Sequence, residues 1–142
     1  MTARFLLDTS IISVPISKVP NAGVLKQLDD HGHECVIAAP VWHELTFGCQ
    51  RLPRGRKREA VETYLRDVVL ASFPVLGYDE DAAHWHGLER ARLEGLGKPA
   101  PYVDGQIAAI AYVNELTLVT ANVKDYARFK GVEVDNWAKR GS

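Results

Sequence analysis

Three short, uninterrupted apolar runs, RFLL at 4–7, ECVIAA at 34–39 and LTLVT at 116–120, are separated by segments long enough for helices. That alternation restricts the chain more than any other feature. Strand-length runs joined by helix-length crossovers read as a parallel α/β sheet with helices on both faces. Between the first two runs, Asn21–Asp30 reads as a helix with Asn21 as N-cap and Gly32 as its stop. Pro40 belongs in the first turn of a helix through VWHELTFGC, and Arg56–Leu70 is helical by composition. SFPVLGY reads as extended, and the segment from Asp79 to Gly97 starts with acids and ends with glycine, as a helix does. Past a loop with Pro99 and Pro101, VDGQIAAIAYVNE forms a small-residue helix. After the LTLVT strand come a turn at ANVKDY and a last strand at GVEV before Trp137.

The 142 residues, 46% hydrophobic and 25% charged, suit one globular domain that buries about two thirds of its unfolded surface. No apolar stretch approaches the ~20 residues of a membrane helix, and the opening MTARFLLDTSII lacks a signal peptide's pattern, so the cytoplasm is the expected location. Cys35 and Cys49 are too far apart for a CxxC pair and are expected as reduced, buried thiols. With 17 Lys and Arg against 18 Asp and Glu, net charge alone does not point to a polyanion.

In open α/β sheets ligands bind beyond the carboxyl ends of the strands, so the polar residues that follow each apolar run are the candidates. They are Asp8 after the first run, Glu44 one turn past the second, Asp104 opening a helix, and Thr120, Asn122 and Asp125 around the end of the third. Singly each has an ordinary reading: Asp8 and Asp104 as helix caps, Glu44 as a solvated helix residue, Asp125 as a turn residue. Two patterns argue otherwise. Glu44 sits among Val41, Trp42, Leu45 and Phe47, which leave little exposed face, and Asp104 shares the stripe of Ile107, Ala108 and Ala111. Carboxylates gathered in one pocket repel one another unless protons or a cation neutralise them. Hard Mg²⁺ or Mn²⁺ prefers such oxygen ligands together with substrate phosphate, and lowers the pKa of bound water. An acidic pocket can therefore act on an acidic polymer.

In order along the chain, LLDTS, VWHELTFG, DGQIAAIA, LVTANVKDY and a trailing DNW resemble the motif set of PIN-domain ribonucleases, specifically the VapC-type toxins of bacterial toxin–antitoxin pairs. The resemblance spans nearly the whole chain. It implies a three-layer α/β/α fold with a central parallel sheet, a single nuclease domain over 1–138 and a tail over 139–142. It also implies a Mg²⁺-dependent endoribonuclease, with Mn²⁺ as a substitute, whose acids correspond to Asp8, Glu44, Asp104 and Asp125. Asp8 and Asp104 are expected to hold the principal metal. Glu44 and Asp125 would orient the attacking water and hold any second ion, while Thr120, Asn122 and Ser10 support the acids or touch substrate. At Asn122 an amide replaces the acid some relatives carry. Ser10 stands where relatives commonly have asparagine, which is expected to loosen the pocket's hydrogen bonding. The implied partners are substrate RNA and a VapB-like antitoxin, in a homodimer or a toxin–antitoxin hetero-oligomer.

Basic residues cluster at Arg51, Arg54, Arg56, Lys57 and Arg58, and again at Lys124, Arg128 and Lys130. They read as an RNA-facing rim or as solvated charge, and the resemblance implies a third use, docking an antitoxin peptide near the cleft. His84 and His86, two apart on a helix, diverge and are poor co-ligands of one metal, and His43 diverges from Glu44. Trp42, Trp85 and Trp137 read as packing or interface residues. The rival readings are a noncatalytic binding module, a DNA nuclease, and a dehalogenase-type phosphatase. The last needs an aspartate where Ser10 stands.

Overall fold

A computed structural model describes residues 2–140. The expected tail at 139–142 thus lies in part outside the described residues. Strand β1 (Phe5–Leu7) leads into the short helix α1 (Thr9–Ile12), a 3₁₀ turn at Val14–Ile16 and helix α2 (Ala22–His31). Strand β2 (Cys35–Ala38) follows, then α3 (Ala39–Gln50), α4 (Arg56–Tyr64), a π turn at Leu65–Val69, α5 (Leu70–Ser72) and β3 (Val75–Leu76). The second half comprises α6 (Glu80–Gly95), α7 (Tyr102–Val113), β4 (Thr117–Val119), α8 (Val123–Tyr126), β5 (Val134–Asp135) and α9 (Trp137–Arg140).

All five strands pair in parallel, in the order β3-β2-β1-β4-β5. The expected parallel α/β architecture is present. Phe5, Leu6 and Leu7 align with Thr117, Leu118 and Val119, and on the other side Phe5 aligns with Cys35. The chain winds outward from β1 to β3 and then returns to the far side of β1 as β4. The junction of β1 and β4 is therefore the switch point at which such sheets open a crevice. Because helices cover both faces, the three central strands are apolar at nearly every position, and Leu6, Leu7, Ile37 and Leu118 are fully buried.

Local signals set most boundaries. Asn21 caps α2 by accepting from the Val24 amide at 3.0 Å, Asp79 caps α6 by accepting from Ala82 at 2.9 Å, and a proline stands in the first turn of α3. Gly32 stands at the end of α2, as expected of its stop, but in right-handed backbone at φ −53°, and leads into a 3₁₀ turn, Gly32–Glu34. The Arg56–Leu70 segment is helical throughout, with the π turn widening its second half. Trp137 is a core residue set edge-on to Phe5 at 5.1 Å, and Trp85 stacks on Tyr112 at 4.7 Å. Both cysteines are free and buried, and among the described residues no helix is long and apolar enough to cross a membrane.

The packing of α6 on α7 positions the later half of the cleft. Gly105 provides the room: a methyl group there would overlap the imidazole of buried His86, whose Nδ1 meets the Tyr78 hydroxyl at 2.8 Å. Nearby, the buried carboxylate of Glu89 accepts two bonds from Arg92, at 2.7 and 2.8 Å, and a third from the Lys130 amide at 3.0 Å. Arg92 also donates to the Arg128 carbonyl at 3.0 Å, so this pair fastens the segment after α8 to α6.

Arg92 holds the Glu89 carboxyl below the ordinary value, against the opposing effect of burial. A depressed carboxylate stabilises the fold above the unfolded-state pKa of ~4.3, and that stability is lost as pH falls through the folded value. Glu89→Gln is expected to lower stability at neutral pH by about 1–3 kcal/mol and to flatten the acid limb of the stability curve. Chemical denaturation between pH 3 and 8 measures both.

Candidate active site

Asp8 is the first residue past β1, in extended backbone at φ −78° and ψ 162°, and is only 6% exposed. It precedes α1 but its side chain makes no capping bond, so the ordinary reading of this aspartate as a cap does not hold. Its partners are two hydroxyls. Thr120 Oγ1 donates to Asp8 Oδ2 at 2.7 Å and Ser10 Oγ donates to the same oxygen at 3.2 Å. Each hydroxyl is held in turn by a backbone amide: Asn122 N–H donates to Thr120 Oγ1 and Ala121 N–H to Ser10 Oγ, both at 3.0 Å. Ser10 therefore takes part in the pocket's hydrogen bonding on both sides. A hydroxyl two residues from the carboxylate is short enough to reach both Asp8 and the β4–α8 turn. Both side-chain bonds fall on Oδ2, which leaves Oδ1 as the oxygen available to a cation.

The other three acids reach this point from separate elements. Asp104, half-buried, is the third residue of α7 rather than its opening residue, because the helix begins at Tyr102 behind Pro101. Burial raises its pKa, with the charges of Asp125 and Asp8 adding to the effect, while Arg128 and a hydrogen bond from Tyr126 oppose it. Glu44, on α3, is raised by partial desolvation, then by Asp8 and Asp104. As a residue it is exposed, and so is Phe47 at 54%, so the sequence argument from an all-apolar surround fails for this turn. Its carboxyl end is the part drawn toward Asp8 and Asp104. Asp125, in α8, is exposed and acts on Asp104 across the cleft.

Tyr126 went unnoticed in the sequence. Its ring is buried and its phenol is pushed strongly upward, by burial first and then by the charges of Asp8, Asp104, Glu44 and Asp125 together. The charges of all four acids therefore act on one phenol, which in turn opposes the rise at Asp104. The available signal was the apolar character of tyrosine directly after an exposed turn acid. Arg128 is the second residue to be read differently. It was placed on a basic rim, yet its guanidinium donates to the Pro99 carbonyl at 2.8 Å and its charge bears on Asp104. Asn122 spends its amide N–H on Thr120, and its exposed side chain shares a surface cavity with Lys124, Asp125, Asn136 and Lys139. His86 is core, His84 is exposed, and neither stands among the acids.

The four carboxylates thus converge electrostatically. Among the described residues, however, no three His, Cys, Asp or Glu side chains stand close enough to enclose a metal ion. An all-oxygen set with one well-fixed carboxylate and others at its margin fits Mg²⁺ or Mn²⁺, which keep several waters and need only one or two protein carboxylates plus phosphate. It does not fit a soft or fully caged ion.

Comparison with known proteins agrees with this geometry. The family model described as PIN domain matches residues 5–132. The chain is 32% identical over 124 residues to Toxin FitB of Neisseria gonorrhoeae, covering 85% of this chain and 89% of that one. It is 28% identical to the tRNA(fMet)-specific endonuclease VapC of Shigella flexneri, with 95% and 98% covered. Among solved structures, FitAcB from Neisseria gonorrhoeae superposes with a TM-score of 0.86 at 30% identity, over 94% of this chain and 97% of that chain. VapBC2 from Rickettsia felis, bound to a DNA fragment from its promoter, gives 0.81 at 26%, over 94% and 98%.

Thr120 is fully buried, so removing its hydroxyl while keeping its shape isolates its bond to Asp8. Thr120→Val is expected to cost about 1.5–3 kcal/mol, as for a hydrogen bond to a charged group, and the longer Ser10 contact to cost less in Ser10→Ala. Urea unfolding of the two variants at pH 7 checks the order.

Proposed function

The chain belongs to the PIN-domain family, among its VapC-type toxin–antitoxin ribonucleases, and on that premise we propose that it is a divalent-cation-dependent endoribonuclease, the toxin of a bacterial type II pair. The observation that carries this reading is Asp8, buried at the switch point of the sheet and held by Thr120 and Ser10, with the charges of Glu44, Asp104 and Asp125 acting beside it. Nothing about a lone surface carboxylate requires that.

Asp8 and Asp104 would hold the principal cation, directly or through water. When bound, Mg²⁺ or Mn²⁺ supplies neutralisation of the acid cluster and of the phosphoryl charge, and acidifies water. The residues do the rest. Thr120 and Ser10 fix the plane of the Asp8 carboxylate, and Tyr126 orients Asp104 by donating to it. Glu44, with its pKa raised toward neutrality, orients the attacking water and accepts its proton at a carboxylate oxygen. Asp125 completes the cluster at the rim, and Asn122 offers an amide to substrate. Attack by water at phosphorus leaves a 5′-phosphate and a 3′-hydroxyl. A VapB-like antitoxin is the proposed partner, supported by the solved complexes of the related FitAcB and VapBC2, and the working form is a homodimer or a toxin–antitoxin hetero-oligomer.

Protein freed of inhibitor is expected to cut RNA with Mg²⁺ or Mn²⁺ and to stop in chelator. Asp8→Asn and Asp104→Asn should each reduce cleavage by about 10²–10³ with the circular dichroism spectrum unchanged. Cutting that persists in chelator rejects the mechanism.

The acid limb of the rate profile gives a separate measurement. Because burial and the neighbouring acids raise Glu44, it takes up its proton at a higher pH than a solvated glutamate, and the rate should fall as pH drops through that titration. Glu44→Gln is expected to lower the rate throughout and to erase that limb, as read from cleavage rates between pH 4.5 and 8.

A further inference from the structure

Helix α3 carries Glu44 to the cleft and also presents a second feature that the mechanism does not use. His43, Phe47 and Arg51 follow one another at intervals of four, so they form a single stripe along the helix. All three are exposed. The Phe47 ring, 54% exposed, meets the His43 ring edge-on at 6.4 Å and 69°, and the Arg51 guanidinium lies 4.7 Å from its centroid. Phe47 is only three residues past Glu44, about 4.5 Å along the helix axis. One exposed apolar side chain needs no explanation. An aromatic ring layered with a guanidinium, one turn from a nuclease-type acid cluster, is a different object.

The charge beyond the stripe differs from that elsewhere on the helices. Four arginines outside it have carboxylate partners: Arg4 with Glu34, Arg66 with Asp67, Arg90 with Glu94 and Arg92 with Glu89. Within the basic run itself, Arg58 is occupied. It bonds Gln50, lies 3.8 Å from Glu62, and its carbonyl accepts from Cys49 Sγ, which together fasten the start of α4 to the end of α3. Among the described residues Arg51, Arg54, Arg56 and Lys57 make no ion pair. Four unneutralised cations thus stand on a braced hairpin at the end of a stripe that begins at the acid cluster.

We infer that this stripe seats the RNA strand entering the cleft, with a nucleobase stacked on the Phe47–Arg51 pair and the backbone phosphates on Arg54, Arg56 and Lys57. The inference rests on the ribonuclease reading above. Stacking accepts any base, and guanidinium planes serve as well as rings, so the seat selects unpaired RNA over duplex without reading sequence.

The probe is a fluorescein-labelled 12-nucleotide single-stranded RNA, with binding followed by anisotropy in chelator and cutting followed separately in Mg²⁺. Phe47→Ala should weaken binding by roughly tenfold, and Phe47→Trp should restore it. Replacing Arg54, Arg56 and Lys57 together with alanine should make the slope of log affinity against log salt shallower by about 2. Unchanged affinity in Phe47→Ala overturns the inference, as does failure of the unaltered protein to bind this RNA. If light scattering shows that Phe47→Ala dissociates an oligomer while affinity per subunit holds, the face is an interface between copies and the inference falls. RNA that is held through Phe47 but never cut sinks the ribonuclease reading alone, whereas RNA cut with unchanged affinity in Phe47→Ala sinks the stripe alone.

Discussion

Taking the Asp8 carboxylate out of water costs several kcal/mol unless other donors replace its hydration, and the chain supplies two hydroxyls from opposite ends of its length. Ser10 is a near neighbour. Thr120 is 112 residues away and reaches Asp8 only because β4 pairs with β1. The same pairing sends the Asp8 amide to the Val119 carbonyl at 2.9 Å, so backbone and side chain of this residue are both satisfied by one strand. A sheet wound in any other order would leave the buried charge without its Thr120 donor. Strand order and site are thus fixed by a single requirement, and the cleft opens where that requirement is met.

The electrostatics of the cleft extend the same logic outward. Glu44 and Asp104 are both raised by desolvation and by their acidic neighbours, which means the cluster's own residues are short of positive charge. Arg128 offsets part of the deficit at Asp104, and its position is secured indirectly, since Arg92 grips its carbonyl while Glu89 grips Arg92. A buried ion pair remote from the acids thereby holds the cation that faces them. The remaining deficit is what a hard divalent ion would relieve in the proposed mechanism. It also explains how a pocket of carboxylates and a polyanionic substrate can occupy the same space.

How much of this was legible in the sequence depends on whether the signal is local. Asn21 and Asp79 announce their helices because a cap is a matter of three residues. The apolar runs announce a sheet covered on both faces for the same reason. Asp8 was legible as a misfit, a charge directly after an apolar strand, but its donors were not, since Thr120 becomes its neighbour only in the folded sheet. Tyr126 looked like turn chemistry because its burial depends on α8 folding back beside α7. Glu89 and Arg92, three apart on a charged helix, carry no local mark of their role, since the burial of the carboxylate and its bond from the Lys130 amide arise only in the fold. Glu44 was selected on an apolar surround that does not exist, and it is drawn to the cluster by the position of α3 after β2. Its correspondence to an acid in the family motif was the better guide.

Burial across the four acids is graded. Asp8 is buried and fixed by two hydroxyls, Asp104 is half-buried and touched by Tyr126, and Glu44 and Asp125 are exposed. A rigid cage of four carboxylates would require all of them to lose water together, at a desolvation cost no protein cation here offsets in full. Grading avoids that cost. The inner carboxylate is positioned by the fold itself, while the outer ones retain solvation. This accounts for an acid cluster whose members interact strongly yet do not enclose an ion on their own. In the proposed nuclease, ion and substrate phosphate then complete the site jointly, and catalysis is confined to the moment when RNA is already in place.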